Sequence, residues 1–546
     1  MAGEQEIAPS RAPEAERPRG RAILKRVLGW GAAVPRALWN FRTVRLFRED
    51  RLLAVITLIL SAIVLWPLFV TPILPLVDMG SHVGATGLLN DVLLRQGVAA
   101  RFYEINPRII PYWTVYFFMS LAEYFVGPFL ATKLAVGGVL ILLPVGAMRL
   151  FAAFGRSPRI GLFVFILSWD TNLYWGWHTF QYGMALSLIA LAQVFEARTF
   201  KDGLKIIPLT VFIALTHVFA VALLGLAGGL ICLIKRPFWK TVAVHAVGLS
   251  GCLVAMLPWV YKRLEGVAPA AGKVKFDWHT PAHKIQHLYT YTLANVPDKP
   301  ETSGAAFAVL WLAPAFLCLL RAREVSREQR FAPIMVVLAA MALYFTLPFG
   351  VSGPIEHWWT YPRFGTYVLI ALLALPRPRL TGRAVLMLIP GFAACLALHL
   401  SVVGQFKEYG RYVRPYTEII AAMPKGVSFF PLDLDDRRFK GTRDAVLGQL
   451  HGYAAAAASS YDPHLFDQPD TPLLYRKPRK LPTINWFLPG SFTMKDHGRF
   501  YDYIIVHPLD KDPIATNEAW KKDVELVREA GQWRLYKVKR APGASK

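Results

Sequence analysis

The residues able to do chemistry in this 546-residue chain are few, and they gather in short polar stretches between apolar runs. Asp78 lies in Pro75-Leu-Val-Asp-Met-Gly-Ser-His82. If a helix starts near Asp78 or Gly80, Asp78 and His82 stand four apart on one face. An N-cap role accounts for the same aspartate, and only a carboxylate with a free oxygen can serve as a base as well. Asp170 sits in Leu167-Ser-Trp-Asp-Thr-Asn-Leu-Tyr-Trp-Gly-Trp-His178, a carboxylate among aromatics followed by His178 and Gln181. Those rings suit either stacking on sugar faces or an interfacial belt. Glu104 (Phe-Tyr-Glu-Ile-Asn-Pro), His217 (Leu-Thr-His-Val) and the stretch Glu356-His357-Trp-Trp-Thr-Tyr-Pro-Arg363 complete the set. Arg363 can grip a phosphate bidentately or snorkel to lipid headgroups. His283 and His287 follow Thr280-Pro281, a good helix start, and share a face at i, i+4; metal binding there needs a third ligand.

The elements that must position these residues are greasy. The apolar set makes up 54% of the chain and charged residues only 18%, against about 25% charged in ordinary soluble domains. Disorder is excluded by that apolarity. A disulfide scaffold is excluded by four cysteines (Cys232, Cys252, Cys318, Cys395), all in apolar runs. Eleven runs approach the roughly 20 residues of a transmembrane helix: Leu52–Val70, Phe129–Leu150, Ile160–Trp177, Phe180–Ala197, Ile206–Thr216, Phe219–Ile234, Thr241–Val260, Ala305–Leu320, Phe331–Phe349, Phe364–Pro376 and Ala384–Val403. Residues 82–97 and 111–126 read as interfacial helices, the second aromatic and carrying Glu123.

The net charge of +24 follows this topology. Residues 1–51 hold 11 Lys/Arg against 6 Asp/Glu, and 16 more basic residues fall in five alternate short loops. Excess Lys/Arg marks the cytoplasmic side. The expectation is a cytoplasmic basic tail, partly disordered, over 1–51, a membrane domain over 52–403, and an extracytoplasmic C-terminus. Residues 404–546 are polar, with strand-like runs Val427–Leu432, Tyr503–Val506 and Trp533–Val538 and helix-like runs Val413–Met423 and Asn517–Ala530. The expected fold class is therefore an all-α polytopic membrane domain of about eleven helices plus a C-terminal α+β extracytoplasmic domain. The basic excess is topological and implies no nucleic-acid partner.

The pattern resembles the GT-C superfamily of polytopic glycosyltransferases, which use polyprenyl-phosphate-linked sugars on the outer side of the membrane. A first span is followed by an acidic residue, Asp78, and an interfacial helix. A second acid, Asp170, stands near the outer end of the third span, and Tyr361-Pro-Arg363-Phe-Gly enters a late span. Where the family's first-loop motif often carries two adjacent acids, Met79 takes the second place, with His82 a turn later. The resemblance implies an enzyme of a bacterial inner or plasma membrane. It would transfer a sugar from a polyprenyl-phosphate donor to an extracytoplasmic acceptor hydroxyl with inversion. Asp78 would be the base, and Asp170, with His82, Glu104 and His178, would position the acceptor. Arg363, His217 and His357 would hold the donor phosphate. If a divalent cation (Mg or Mn) takes part, Asp78 and Asp170 would hold it. Two other readings stay open: a non-catalytic envelope assembly protein, and a lipid or glycolipid transporter of the same architecture.

Overall fold

Apolar runs can cross a bilayer only if every backbone N–H and C=O is satisfied within the segment, which a helix does. A computed structural model describes residues 42–267, 274–294, 299–352, 357–435, 439, 442, 445–466, 470–485 and 488–539; most of the expected basic tail, and Glu356, lie outside the described residues. Residues 1–54 and 55–546 form two units. The first is described from Arg42 onward and contains helix α1 (Arg42–Glu49) and the start of α2 (Arg51–Leu65).

The second unit holds α3 (Met79–Leu93), α4 (Ala99–Phe102), β1 (Tyr103–Ile105), α5 (Trp113–Ala153), α6 (Thr171–Tyr174), α7 (His178–Glu196), α8 (Phe200–Ala214), α9 (Val218–Cys232) and α10 (Phe238–Val267). It continues through β2 (Lys275–Asp277), α11 (Pro281–Gln286), α12 (Pro300–Cys318), α13 (Arg327–Thr346), β3 (Gly350–Ser352), α14 (Gly365–Leu373) and α15 (Ile389–Ala422). Next come β4 (Phe429–Asp433), α16 (His451–Ala458), β5 (Leu473–Tyr475), β6 (Tyr503–His507), α17 (Pro513–Thr516), α18 (Glu518–Lys522), β7 (Val524–Ala530) and β8 (Trp533–Val538). Among the described residues, six helices are long and apolar enough to cross a membrane; Pro158–Leu167, Val218–Cys232 and Pro362–Leu373 are shorter apolar helices. The chain is a multi-pass integral membrane protein.

Four local expectations are corrected. The run Ile160–Trp177 is not one helix: a 3-10 segment covers Pro158–Leu167, and Asp170 then caps the new short helix α6. The aromatic stretch 111–126 is not a separate helix, since α5 carries it into the next span with one break at Gly127 (φ 77°). Pro128 follows that break, and glycine supplies the left-handed conformation that other residues resist. Helix α3 is not a one-sided interfacial helix either, because Met79, Val83, Ala85, Thr86, Leu88 and Val92 are all buried. The expected helix Asn517–Ala530 is one turn and a strand: β7 turns through Gly531 (φ 56°) and Gln532 into β8, a two-residue hairpin with glycine at its first position.

The last apolar helix does not stop where the composition turns polar. Helix α15 runs on to Ala422 because Cys395, Leu398, Val402, Phe406, Tyr409, Val413, Tyr416 and Ile420 form a buried stripe at steps of three and four. It leads into a sheet ordered β4-β6-β8-β7, in which β4 and β6 are parallel (Phe429 opposite Tyr503) and the other pairs antiparallel. A second connection is β1 with β5, which pairs Glu104 with Leu474.

Helices α3 and α16 cross at backbone contact. A Cβ on Gly80 would fall 1.7 Å from the Gln449 carbonyl oxygen, one on Gly452 would fall 1.9 Å from that of Gly80, and one on Gly87 would meet Ala456 at 2.7 Å. Small residues at such spacing let two helices approach more closely than larger side chains permit. Gly452→Ala must push the helices apart. Overpacking of this kind costs about 1–3 kcal/mol. A lower melting temperature of the detergent-solubilised protein is expected, with a smaller loss for Ala456→Gly, where the same crossing keeps its room.

Candidate functional site

Asp78 ends the stretch that enters α3, and its position is set by backbone hydrogen bonds. Val77 N–H donates to the Tyr174 carbonyl (3.0 Å) and Asp78 N–H to that of Trp175 (3.1 Å). Gly176 (φ 85°) permits this approach, since a Cβ there would lie 2.9 Å from Met79 N and 3.0 Å from Asp78 N. Asp78 is the N-cap residue of α3 by position, yet its side chain makes no cap hydrogen bond. Its two oxygens accept instead from Trp177 Nε1 (3.2 Å) and Gln449 Nε2 (2.9 Å). The residue is half-buried. Burial pushes its pKa up to about 6, against the pull of the Trp177 hydrogen bond, the Arg363 charge and Gln449.

Arg363 stands over the face of the same indole. Its guanidinium carbon lies 3.7 Å from the Trp177 ring centroid and 5.6 Å from that of Phe219, a cation–π arrangement. Nε donates to the Trp359 carbonyl (3.2 Å). Trp175 stacks on Trp177 (centroids 5.5 Å) and lies 5.0 Å from Trp359, so three indoles form one wall. His217 caps α9: its Nδ1 accepts from Phe219 N–H (3.2 Å), which leaves the proton on Nε2. Burial first, then the charges of Arg363 and His357, hold His217 well below its usual pKa and therefore neutral. His357 meets Phe219 edge-on at 5.9 Å. Arg363, His217 and His357 thus surround Phe219, with Tyr112 packed against His217 at 5.1 Å.

Asp170 is placed differently. Its oxygens accept from Leu173 N–H (3.0 Å), Gln181 Nε2, Asn172 Nδ2 (2.9 Å) and Thr366 Oγ1 (2.5 Å), and the residue is fully buried. Asn172 Nδ2 also reaches the Arg363 carbonyl (3.3 Å). Asp170 is a cap that ties the Trp175–Trp177 turn to Thr366 at the start of α14, just past Arg363. His82 and His178 pack edge to face at 4.8 Å, and His82 Nδ1 lies 2.5 Å from the Tyr116 hydroxyl. His178 Nδ1 donates to the Gly176 carbonyl (2.8 Å), and its buried Nε2 has no hydrogen-bond partner. Glu104 is not drawn into this group; it is an exposed residue of β1.

The donor sets do not fit a divalent cation. Both Asp170 oxygens are taken by four donors, and Asp78 faces a guanidinium rather than a second carboxylate. Among the described residues no three His, Cys, Asp or Glu side chains are grouped to hold a metal ion. His279, His283 and His287 do meet, but by ring stacking at centroid distances of 4.2 and 3.9 Å.

Three participants escaped the sequence reading. Trp177 and Tyr116 looked like belt aromatics. Gln449 lies 371 positions from Asp78, and nothing local marks it; the one signal was Gly452, small where α3 is also small.

No protein-family profile matches the sequence, and a comparison with curated proteins finds no relative. Among solved structures, the chain is similar to ArnT from Cupriavidus metallidurans in the apo state, with 12% identity over 89% of this chain and 97% of that one and a TM-score of 0.46. It is similar to the same protein bound to undecaprenyl phosphate at 13% identity, over 90% and 98%, with a TM-score of 0.45. The arabinofuranosyltransferase AftD from Mycobacteria aligns at 14% identity over 90% of this chain and 40% of its own length, with a TM-score of 0.49.

The two aspartates should respond unequally to amidation: burial raises both carboxyls to about 6, but Asp78 accepts two hydrogen bonds and Asp170 four. A carboxyl raised to about 6 opposes folding once ionised: its stabilising contribution is present below its unfolded pKa and lost as pH rises through 6. At pH 7.5, Asp78→Asn should therefore leave the melting temperature unchanged or higher. Asp170→Asn turns an NH2 group toward existing donors and should lower stability by about 2 kcal/mol. Thermal unfolding of both variants checks this.

Proposed function

We propose that the protein is an extracytoplasmic-face glycosyltransferase that moves a sugar from a polyprenyl-phosphate carrier to an acceptor hydroxyl. The observation that carries this reading is the pair across Trp177. A half-buried carboxylate with a pKa near 6 accepts from the indole Nε1–H at the ring edge, and a guanidinium close to His217 and His357 lies over the ring face. A base beside a cationic phosphate cradle is what transfer from a sugar phosphate needs. An apolar groove of about 290 Å³ supports a lipid-borne donor. It runs between α5, α7 and α8, lined by Phe118, Leu134, Leu186 and Phe212, and reaches Thr216 beside His217. That is room for an isoprenoid chain whose phosphate ends at Arg363.

In this mechanism Asp78 takes the acceptor hydroxyl proton. The acceptor oxygen bonds to the anomeric carbon as the bond from that carbon to the phosphate oxygen breaks, and the electron pair leaves with the polyprenyl phosphate. Arg363 and the Nε2–H of His217 receive the growing charge, with His357 beside them. Trp177 and Gln449 each hold one oxygen of Asp78 and leave a lone pair on each for the acceptor, and Gln449 also accepts from Ser81 N–H (3.3 Å). Asp170 acts through others as a positioning residue. Because its oxygens are committed, the described residues of the site offer no second free carboxylate as a nucleophile, which favours single displacement with inversion. The aromatic wall of Trp175, Trp177 and Trp359 suits a sugar face. The topology that fits has a cytoplasmic N-terminus, with α16 and the sheet outside the membrane.

Sugar transfer from a polyprenyl-phosphate donor in proteoliposomes tests the reading. Asp78→Asn should lose about a hundred- to ten-thousandfold in rate, and Arg363→Met about a hundred- to a thousandfold. The base must be ionised, so the wild-type rate should fall about tenfold per unit below pH 6. Trp177→Phe keeps a ring under Arg363 but removes a donor to the carboxylate; its acidic limb should shift upward by about one unit. Full transfer by Asp78→Asn would defeat the enzymatic reading and leave transport or envelope assembly.

A further inference from the structure

Lys133 is an isolated cation in an apolar helix, and the site above makes no use of it. An ionisable side chain in a spanning segment is costly and is retained for a partner. Lys133 lies six positions past the Gly127 break of α5, half-buried, and donates to the Thr71 carbonyl (2.8 Å), which occupies one of its three N–H groups. It lines a half-open cavity of about 520 Å³ between the second part of α5, the end of α15 and the end of α16. Lys425 also lines it, and Pro72, Phe129, Ile420 and Met423 supply apolar surface. Among the described residues no carboxylate lines the cavity. Asp91 feels the Lys425 charge from α3, without being part of the wall. The cavity thus has two ammonium groups, apolar walls and no anion of its own.

We infer that this cavity binds the phosphate head and first carbons of an anionic phospholipid from the surrounding leaflet, at a site separate from the catalytic one. Charge complementarity selects a phosphate, which lysine binds as a point charge. The apolar walls select a lipid over a soluble anion. The occupant is a membrane phospholipid rather than the sugar carrier because the cavity shares no lining residue with the groove that ends beside His217. Ala457 and Ala458 form one wall at the far end of α16, the helix that follows Gln449, so an occupied cavity braces the element that holds Asp78 in place.

Native mass spectrometry of the full-length protein, with phosphatidylglycerol, phosphatidylcholine and polyprenyl phosphate as probes, tests this without reference to sugar transfer. Wild type should retain one phosphatidylglycerol and bind phosphatidylcholine about tenfold more weakly. The double variant Lys133→Met/Lys425→Met should bind phosphatidylglycerol about tenfold more weakly, and Lys133→Arg/Lys425→Arg should restore it. Ala457→Phe keeps both amines and fills the cavity; it should lose the lipid while still melting in one cooperative transition, which covers the case in which the double variant fails to fold. Unchanged phosphatidylglycerol retention by the double variant and by Ala457→Phe would overturn the inference. So would loss of polyprenyl phosphate alone, which would make the cavity part of the donor site.

Discussion

The Trp177 indole joins the two opposite charges of the site. Its Nε1–H binds the Asp78 carboxylate at 3.2 Å and its face carries the Arg363 guanidinium at 3.7 Å. A direct ion pair would commit both groups to each other. With the carboxylate at the Nε1 edge and the guanidinium over the ring face, the guanidinium still biases the carboxyl toward ionisation. Everything around Trp177 serves that spacing. Gly176 brings the turn against the Asp78 backbone, Trp175 and Trp359 pack beside the ring, and Asp170 locks the turn to the start of α14.

The polar C-terminal region contributes to the site directly. Helix α15 carries its buried stripe past the end of the apolar run, and α16 then crosses α3 where only glycine and alanine fit. That crossing brings Gln449 to the second oxygen of Asp78 and to Ser81 N–H. Asp462 holds the start of α16 from behind through His451 Nδ1 (2.5 Å). The Asp78 carboxylate is therefore fixed by residues on both sides of the composition change near residue 403, and the two regions build one site.

Sequence legibility followed the range of the forces involved. Asp78 and Arg363 were visible because a charge at the end of an apolar run is costly wherever it falls. Asp170 drew attention for the same reason, but its part depended on Gln181 and Thr366, and the Thr366 bond spans 196 positions. Glu104 was polar and near the right loops; strand pairing with Leu474 took it elsewhere. The continuation of α15 was legible in the three- and four-residue spacing of its apolar residues, although composition masked it. The β7 hairpin was legible at Gly531 but was outweighed by helix-forming residues around it. Gln449 had no local signal, because its role exists only once α3 and α16 have crossed.

The most direct test of the central claim is a cryo-electron microscopy structure of the protein with a polyprenyl phosphate bound. The expected result is a phosphate within hydrogen-bond distance of the Arg363 guanidinium and His217 Nε2, with the isoprenoid chain in the groove between α5, α7 and α8 and the Asp78 carboxylate facing the open space beyond the phosphate. A phosphate bound away from Arg363, or a chain that leaves that groove empty, would contradict it.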